Sequence, residues 1–282
     1  MNNIILTADS TFDMTQDMSL KLGIEVIPSY VRLDGDNIFD YPDITMYDLF
    51  GFHDRTGKLP QTAAASPWDY TQFFQKYASA DTQVIHIAKS SKMSSCYDNA
   101  VNAARNLENV IVFDSMSVGG GSAMLAIVAA KLREKGLSAQ EIIAKLEEIR
   151  EKIFGSFIVD QLDYLHKGGR CSALALMGAN MLKLRPEIVV REGQMLLGRK
   201  YRGKYESCMF EFIDDRLSEM SGIDPAYLFI SHTVTDADLL EKALKHIKDK
   251  KHFENITALE AGAAVSCHCG PNTFGMFYLS TK

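Results

Sequence analysis

The chain has 282 residues and a formal net charge of −6 at pH 7, a balance that argues against nucleic acid or an anionic membrane surface as a partner. The length exceeds the size at which single cores usually stop growing, so two α/β domains with a cleft between them are expected. Five cysteines without framework spacing fit a reducing compartment, and no apolar run approaches the ~18 residues of a membrane span. Asn2-Asn3 leads straight into a short apolar strand, so no signal peptide is expected and the protein reads as soluble and cytoplasmic.

In chain order, Ile4 to Ala8 is a strand ending in the polar Asp9-Ser10-Thr11, followed by a helix from about Thr15 to Leu22 with Gly23 as its stop. Ile24 to Leu33 is strand-like, Asp34-Gly35-Asp36 is a turn, and Thr45-Met46-Tyr47-Asp48 opens a helix. Leu59 to Pro67 is too small and polar for a core segment. Ser66-Pro67-Trp68-Asp69 supplies a cap, a proline at the first helical position and an acid three residues on, which leaves Thr62 in the loop just ahead of a helix.

Val84 to Ala88 is a buried strand, and Ser95-Cys96-Tyr97-Asp98 has the spacing of a capping box, with Ser95 as the cap. The turn between them carries Ser90, Ser91, Ser94 and Ser95, more hydroxyls than one cap employs. At the carboxyl end of a strand and the start of a helix, such a turn offers donors to a carboxylate or phosphate.

Val110 to Phe113 is a further strand, and Gly119-Gly120-Gly121-Ser122 leads into a helix through Lys135. No Gly-Lys-Ser/Thr follows, and Met124 stands where a dinucleotide fingerprint needs glycine or alanine, so these glycines indicate close backbone packing. Ser138 to Glu141 caps the next helix, which leads to a domain boundary near Phe154-Gly155. Phe157 to Val159 is a strand, Gln161 to His166 a short helix, and Lys167-Gly168-Gly169-Arg170 a turn presenting a guanidinium. The methionine- and leucine-rich run from Ala173 to Leu184 suits either core or the wall of a pocket for a long flexible ligand. Glu192-Gly193 joins a hairpin, and Arg199-Lys200-Tyr201-Arg202-Gly203-Lys204 is a compact basic run. Strands at Tyr227 to Ser231, Ile256 to Leu259 and Phe274 to Ser280, with a helix near Asp236 to Lys250, complete a second α/β layer.

The remaining feature is Val265-Ser266-Cys267-His268-Cys269-Gly270-Pro271-Asn272. In an extended segment adjacent residues point to opposite faces, and no second ligand pair has zinc-site spacing, so no metal is expected. His268 could serve as base to a serine, yet no Gly-x-Ser-x-Gly elbow occurs; its modest role is to orient a hydroxyl.

Six pieces of this sequence together resemble the DegV family of bacterial fatty-acid-binding proteins over nearly the whole length, residues 3–281. They are Thr7-Ala8-Asp9-Ser10-Thr11, Thr62 with Ser66-Pro67, Ser90-Ser91-Lys92-Met93-Ser94 with Tyr97, Asp114-Ser115, Lys167-Gly168-Gly169-Arg170 and His268-Cys269-Gly270-Pro271. The resemblance implies two α/β domains, 1–153 and 154–282, with a lipid-binding tunnel between them. A long-chain fatty acid such as hexadecanoate would lie there as ligand, without a cofactor. Thr62 and Ser94 would hold the carboxylate, and His268 would support the hydroxyl network. The family's glycine is replaced by Ser95, which would add a donor or narrow the backbone's approach, and Asn272 replaces another glycine. The resemblance also implies a non-catalytic carrier that presents the acid to a separate fatty acid kinase through Arg170 and Arg202, with transient membrane contact compatible with that role. From the residues alone, a serine hydrolase acting on a lipid or ester and a phosphate- or nucleotide-binding enzyme remain alternatives.

Overall fold

In the computed structural model, which describes residues 3–79, 81–171, 184–218, 222–250 and 252–281, strand β1 (Asn3–Asp9) is an inner strand of a parallel sheet. The order is β2-β1-β6-β7, with β2 (Ile24–Ile27), β6 (Thr82–Ala88) and β7 (Val110–Asp114). Parallel neighbours need crossovers, supplied here by α1 (Gln16–Leu22), α3 (Pro67–Gln75) and α4 (Cys96–Ala104). The inner strands are buried on both faces and therefore read as near-continuous apolar runs. Along β6, Val84 packs with Tyr70, Phe74 and Ala100 beneath α3 and α4, whereas Ile85 and Ile87 pack with Leu6 and the helix α5 (Gly120–Glu134) on other cluster contacts.

The second sheet has the order β10-β9-β8-β13-β11-β12. It comprises β8 (Ile153–Ile158), β9 (Leu184–Arg191), β10 (Gln194–Arg202), β11 (Ile223–His232), β12 (Asn255–Glu260) and β13 (Phe274–Ser280), antiparallel except for the β11–β12 pair. Helices α8 (Tyr205–Ser218) and α9 (Ala237–Asp249) share one apolar cluster with Leu228, Ile230, Phe274 and Met276. Phe157, Phe229 and Phe277 instead join the cluster that contains Leu6, α5 and α6 (Ala139–Arg150). Helix α5 thus packs between the two sheets. A Cβ on Gly120 would stand 2.8 Å from the Phe277 ring and 3.1 Å from Phe229 Cβ, so the triple glycine is there for close approach.

A small antiparallel sheet, β4-β3-β5, lies at the edge of this arrangement: β3 (Tyr30–Leu33), β4 (Asp36–Phe39) and β5 (Gln61–Ala63). Val31 packs with Leu49 and Phe50 of α2 (Met46–Thr56), Tyr164 of α7 (Leu162–Gly168) and Ala263 and Cys267 of α10 (Ala263–Cys269).

The helix starts follow local chemistry. Thr15 Oγ1 accepts from Met18 N, and the Ser66–Asp69 and Ser138–Glu141 pairs form reciprocal capping boxes. At Thr45 the Asp48 carboxylate accepts from the threonine's N–H and hydroxyl. Asp34-Gly35 and Glu192-Gly193 close two-residue hairpins with positive φ at both positions, the combination that matches strand twist.

Several expectations are corrected. The single strand expected over 24–33 is two strands in different sheets, because Pro28 lacks the N–H that would continue a ladder. The compact basic run starts within β10, which extends through Arg202 with a register shift between Leu197 and Lys200. The Cys-His-Cys triple is in helix α10, not in an extended segment. The Met/Leu-rich run lies outside the described residues except for Leu184, the first residue of β9.

Candidate functional site

The start of the loop after β6 is fixed by two strand-end carboxylates. Lys89 N donates to Asp9 Oδ2 at 2.8 Å, and Ser91 N to Asp114 Oδ1 at 3.2 Å. Asp9 is buried, which alone raises a carboxyl's pKa; bonds and charge from His86, with Lys89 and the Tyr70 hydroxyl, outweigh burial and leave it below its usual value. Within the loop the hydroxyls divide their work. Ser90 is buried and donates to Gly193 O at 2.6 Å, tying the loop to the β9–β10 turn. Ser94 Oγ accepts from Cys96 N, the first residue of α4, at 3.3 Å. Ser95 is exposed and makes no side-chain cap bond. Ser95 is the N-cap residue as expected, but its φ of −76° and ψ of 1° lie outside the extended conformation that aims a cap oxygen at the first turn, so its hydroxyl makes no capping bond.

Thr62 belongs to a strand, not to the loop expected from its small and polar surroundings: it pairs with Val31 across β3 and β5. Its Oγ1 lies 2.8 Å from Nε2 of His268 on α10, joining residues 206 apart in sequence. Burial, followed by the charges of Arg170 and Lys89, pushes the His268 pKa down to about 3, so the ring is neutral at physiological pH. A Cβ on Gly168 would come within 2.5 Å of His268 Nδ1, which has no hydrogen-bond partner among the described residues. A buried bare nitrogen is less costly than a buried orphan N–H. That difference favours the tautomer in which Nε2–H donates to Thr62 Oγ1, leaving the threonine's own proton for another acceptor.

These groups line one cavity between the sheets, with about 990 Å³ of empty space counting its mouth. Thr62, Ser94, Ser95, His268, Lys89 and Arg170 contribute hydroxyls, an imidazole and two cations; Met93, Val118, Phe157, Leu165, Met195 and Phe277 contribute apolar wall. A mostly apolar lining with a few convergent polar groups is the usual composition of small-molecule sites. Arg170 is exposed, donates to Gly168 O at 2.5 Å and also borders an adjoining groove containing Lys58, Lys167, Thr62 and His268. Arg202 is not brought to this cavity; it is exposed at the end of β10.

The sequence reading passed over Asp13, Ser231, His232 and Thr233, which also line the cavity. Asp13 follows the strand-end run Asp9-Ser10-Thr11, and that polar run is the signal that could have extended the search to it. Cys267 and Cys269 are buried free thiols; burial, aided by Asp13, pushes the Cys269 pKa up to about 12, and the Cys267 value is raised as well. Among the described residues no group of three His, Cys, Asp or Glu side chains is placed to hold a metal ion, and no helix is long and apolar enough to cross a membrane.

Fold and cavity define an α/β protein whose two principal sheets enclose an apolar space ending in hydroxyls and a neutral histidine. The DegV family model matches residues 3–281. The chain belongs to the DegV family. It is 30% identical over 281 residues to a DegV domain-containing protein of Clostridium acetobutylicum, with 99% of each chain covered. Among solved structures, a DegV family protein from Thermus thermophilus, described by its fatty acid binding, matches with a TM-score of 0.90 at 28% identity and 99% coverage of both chains. A Thermotoga maritima protein, whose structure is described as revealing fatty acid binding, matches with a TM-score of 0.82 at 26% identity, over 99% of this chain and all (100%) of the other.

Proposed function

We propose that this protein binds a long-chain fatty acid between its two α/β domains, 1–153 and 154–282, and presents it to a separate kinase that phosphorylates the carboxylate. The observation that carries this reading is the Thr62–His268 hydrogen bond at one polar part of a mostly apolar cavity. With Nε2–H donating to it, the Thr62 hydroxyl is left to donate to a carboxylate. Ser94, bound to the start of α4, and exposed Ser95 are the neighbouring hydroxyls, and the positive charges of Lys89 and Arg170 favour an anion there. The described relatives from Thermus thermophilus and Thermotoga maritima support the ligand class.

The energetics suit a lipid. Burying ~14 methylenes at ~0.8 kcal/mol each contributes about 11 kcal/mol before ordering costs, while desolvating a carboxylate costs several kcal/mol unless it is well bonded. The tail supplies affinity and the hydroxyls set orientation. A serine hydrolase is less well supported: Ser94 Oγ donates to the Cys96 thiol at 3.3 Å, while His268 is committed to Thr62. Arg170, beside the cavity, and Arg202, away from it, are the residues we assign to the kinase-facing surface. Rim charges of this kind steer association more than they retain ligand. Native mass spectrometry of the purified protein, followed by denaturing extraction, tests the reading. A released C14–C18 fatty acid is expected (about 14 to 18 carbons); protein that neither carries nor takes up such an acid contradicts it.

A further inference from the structure

The cavity wall contains a second polar group that the head-group reading does not use. Thr11, Asp13 and His232 are each buried, with relative exposures of 3%, 3% and 6%. Among the described residues Thr11 Oγ1 and His232 Nδ1 have no hydrogen-bond partner, Asp13 Oδ2 has only the Ser231 hydroxyl beside it, and all three residues line the cavity. They come from distant parts of the chain. Thr11 is in the turn after β1, Asp13 follows that turn in a left-handed conformation, and His232 ends β11. Unsatisfied buried polar groups are costly and few in native proteins, so this cluster on one cavity wall requires an explanation.

Their chemistry restricts what could satisfy them. Burial pushes the Asp13 carboxyl up to about 7 against the opposing influence of Gly262 N–H and the neighbouring Ser231 hydroxyl, with Asp40 adding a raising charge effect. Burial also lowers His232 to about 4. Near neutrality the cluster therefore presents a hydroxyl, a neutral imidazole and a carboxyl that is protonated in a large share of molecules. It can exchange hydrogen bonds with a neutral group, whereas it offers no permanent positive charge to a second carboxylate.

Its position relative to the head group follows from α10. Asp13 Oδ1 accepts from Gly262 N at 3.1 Å, at the residue capping the start of this helix, whereas His268 is near its end. Six helical steps correspond to about 9 Å along the axis. Ala264, Val265 and His268 of α10 line the cavity along this span, with Ala261 just before the helix, and i, i+1 and i+4 share one helical side. An extended acyl chain advances about 1.25 Å per carbon for ~1.5 Å bonds at near-tetrahedral angles. Travelling about 9 Å from a carboxylate held at Thr62 and His268 reaches roughly the sixth to tenth carbon.

We propose that Thr11, Asp13 and His232 form a mid-chain subsite that accepts a hydroxyl substituent, allowing this protein to take hydroxylated long-chain fatty acids. The inference rests on the fatty-acid reading and adds a substrate class to it. A hydroxyl both donates and accepts, matching a cluster with a carboxyl and a bare imidazole nitrogen; an unsubstituted methylene would leave those groups unsatisfied.

The test uses delipidated full-length protein, octadecanoate and a positional series of monohydroxyoctadecanoates, with affinities measured by competitive displacement. In the wild type an isomer hydroxylated at roughly the sixth to tenth carbon is expected to bind about five- to tenfold more tightly than octadecanoate, the worth of about one net hydrogen bond. Thr11→Val should remove most of that advantage while leaving octadecanoate within about twofold of its wild-type affinity. His232→Leu provides a second variant with the same expected selectivity change, so a folding defect in either one does not decide the result. If wild-type protein binds octadecanoate but every hydroxylated isomer more weakly, the subsite is overturned and the fatty-acid reading survives. Equal weakening of octadecanoate and its hydroxylated forms in both folded variants also overturns it. Wild-type protein that binds none of these acids overturns the fatty-acid reading and this inference together.

Discussion

The two principal sheets meet the cavity with different materials. The parallel sheet contributes strand-end loops: Lys89 to Ser95 after β6, and the turn containing Thr11 after β1. The mixed sheet contributes apolar side chains from its face, Phe157 and Phe277, together with Met195 from β10. A parallel sheet covered on both faces exposes ligand-binding groups chiefly at the carboxyl ends of its strands. An antiparallel face can be offered directly as a wall. The strand-end loops of the parallel sheet thus bring mostly polar groups and the face of the mixed sheet most of the apolar wall, with Ser231 and His232 of β11 as polar exceptions. Substitutions on the wall and at the polar groups should have different consequences.

The largest effect is expected from the wall. Phe277 is buried at 3% exposure, belongs to the cluster joining β1, α5 and β8, and lines the cavity. Phe277→Ala should cost about 3–5 kcal/mol of stability, readable by urea unfolding. A loss below about 1 kcal/mol would show that this wall is not shared core. On the polar side, Thr62→Ala and Ser94→Ala should each weaken fatty-acid binding by about 1–3 kcal/mol while preserving the circular dichroism spectrum. A variant with wild-type affinity would place the carboxylate elsewhere.

The pH dependence sharpens the comparison at a smaller scale. His268 has a folded pKa near 3 because burial disfavors its charged form, against an ordinary value of 6.5. Between those values the unfolded chain binds more protons, so the neutral histidine's stability contribution is fully present above about 6.5 and falls as pH drops toward about 3. His268→Gln should flatten the acid-side decline of Tm relative to wild type over that window; an unchanged slope would mean that the ring is not held neutral. The smallest binding effect is predicted for Arg202→Ala. It should leave fatty-acid affinity within about 0.5 kcal/mol, while slowing acyl-phosphate formation with a cognate kinase, a defect reduced by added salt. Loss of lipid with normal partner activity per bound lipid would move Arg202 into the pocket.

The same contrast explains what was legible in the sequence. Strands β1, β6 and β7 follow from apolar runs, and the caps at Ser66 and Ser138 follow from short-range chemistry that the structure reproduces. The site required longer-range information. Thr62 is in a three-residue strand held by pairing to β3, too short to establish a period of its own. Helix α10 has only seven residues and begins after Gly262 without a side-chain cap, so nothing local distinguished it from an extended segment. Ser95 had the correct spacing for a cap and is the N-cap residue, but its backbone geometry leaves its hydroxyl without the capping bond. The Thr62–His268 bond spans 206 positions, and no residue pattern on either side predicts it without the fold or a family resemblance.

The central claim is that the carboxylate of a long-chain fatty acid lies at Thr62, Ser94 and His268. Carbon-13 NMR of hexadecanoate labelled at its carboxyl carbon, bound to wild type and to Thr62→Val, tests this directly. The account predicts one bound carboxyl resonance, distinct from free acid, whose chemical shift moves in the Thr62→Val variant while the signal of a label at the terminal methyl stays in place. A bound carboxyl resonance identical in both proteins, with the terminal methyl signal displaced instead, would reverse the orientation of the ligand and contradict the claim.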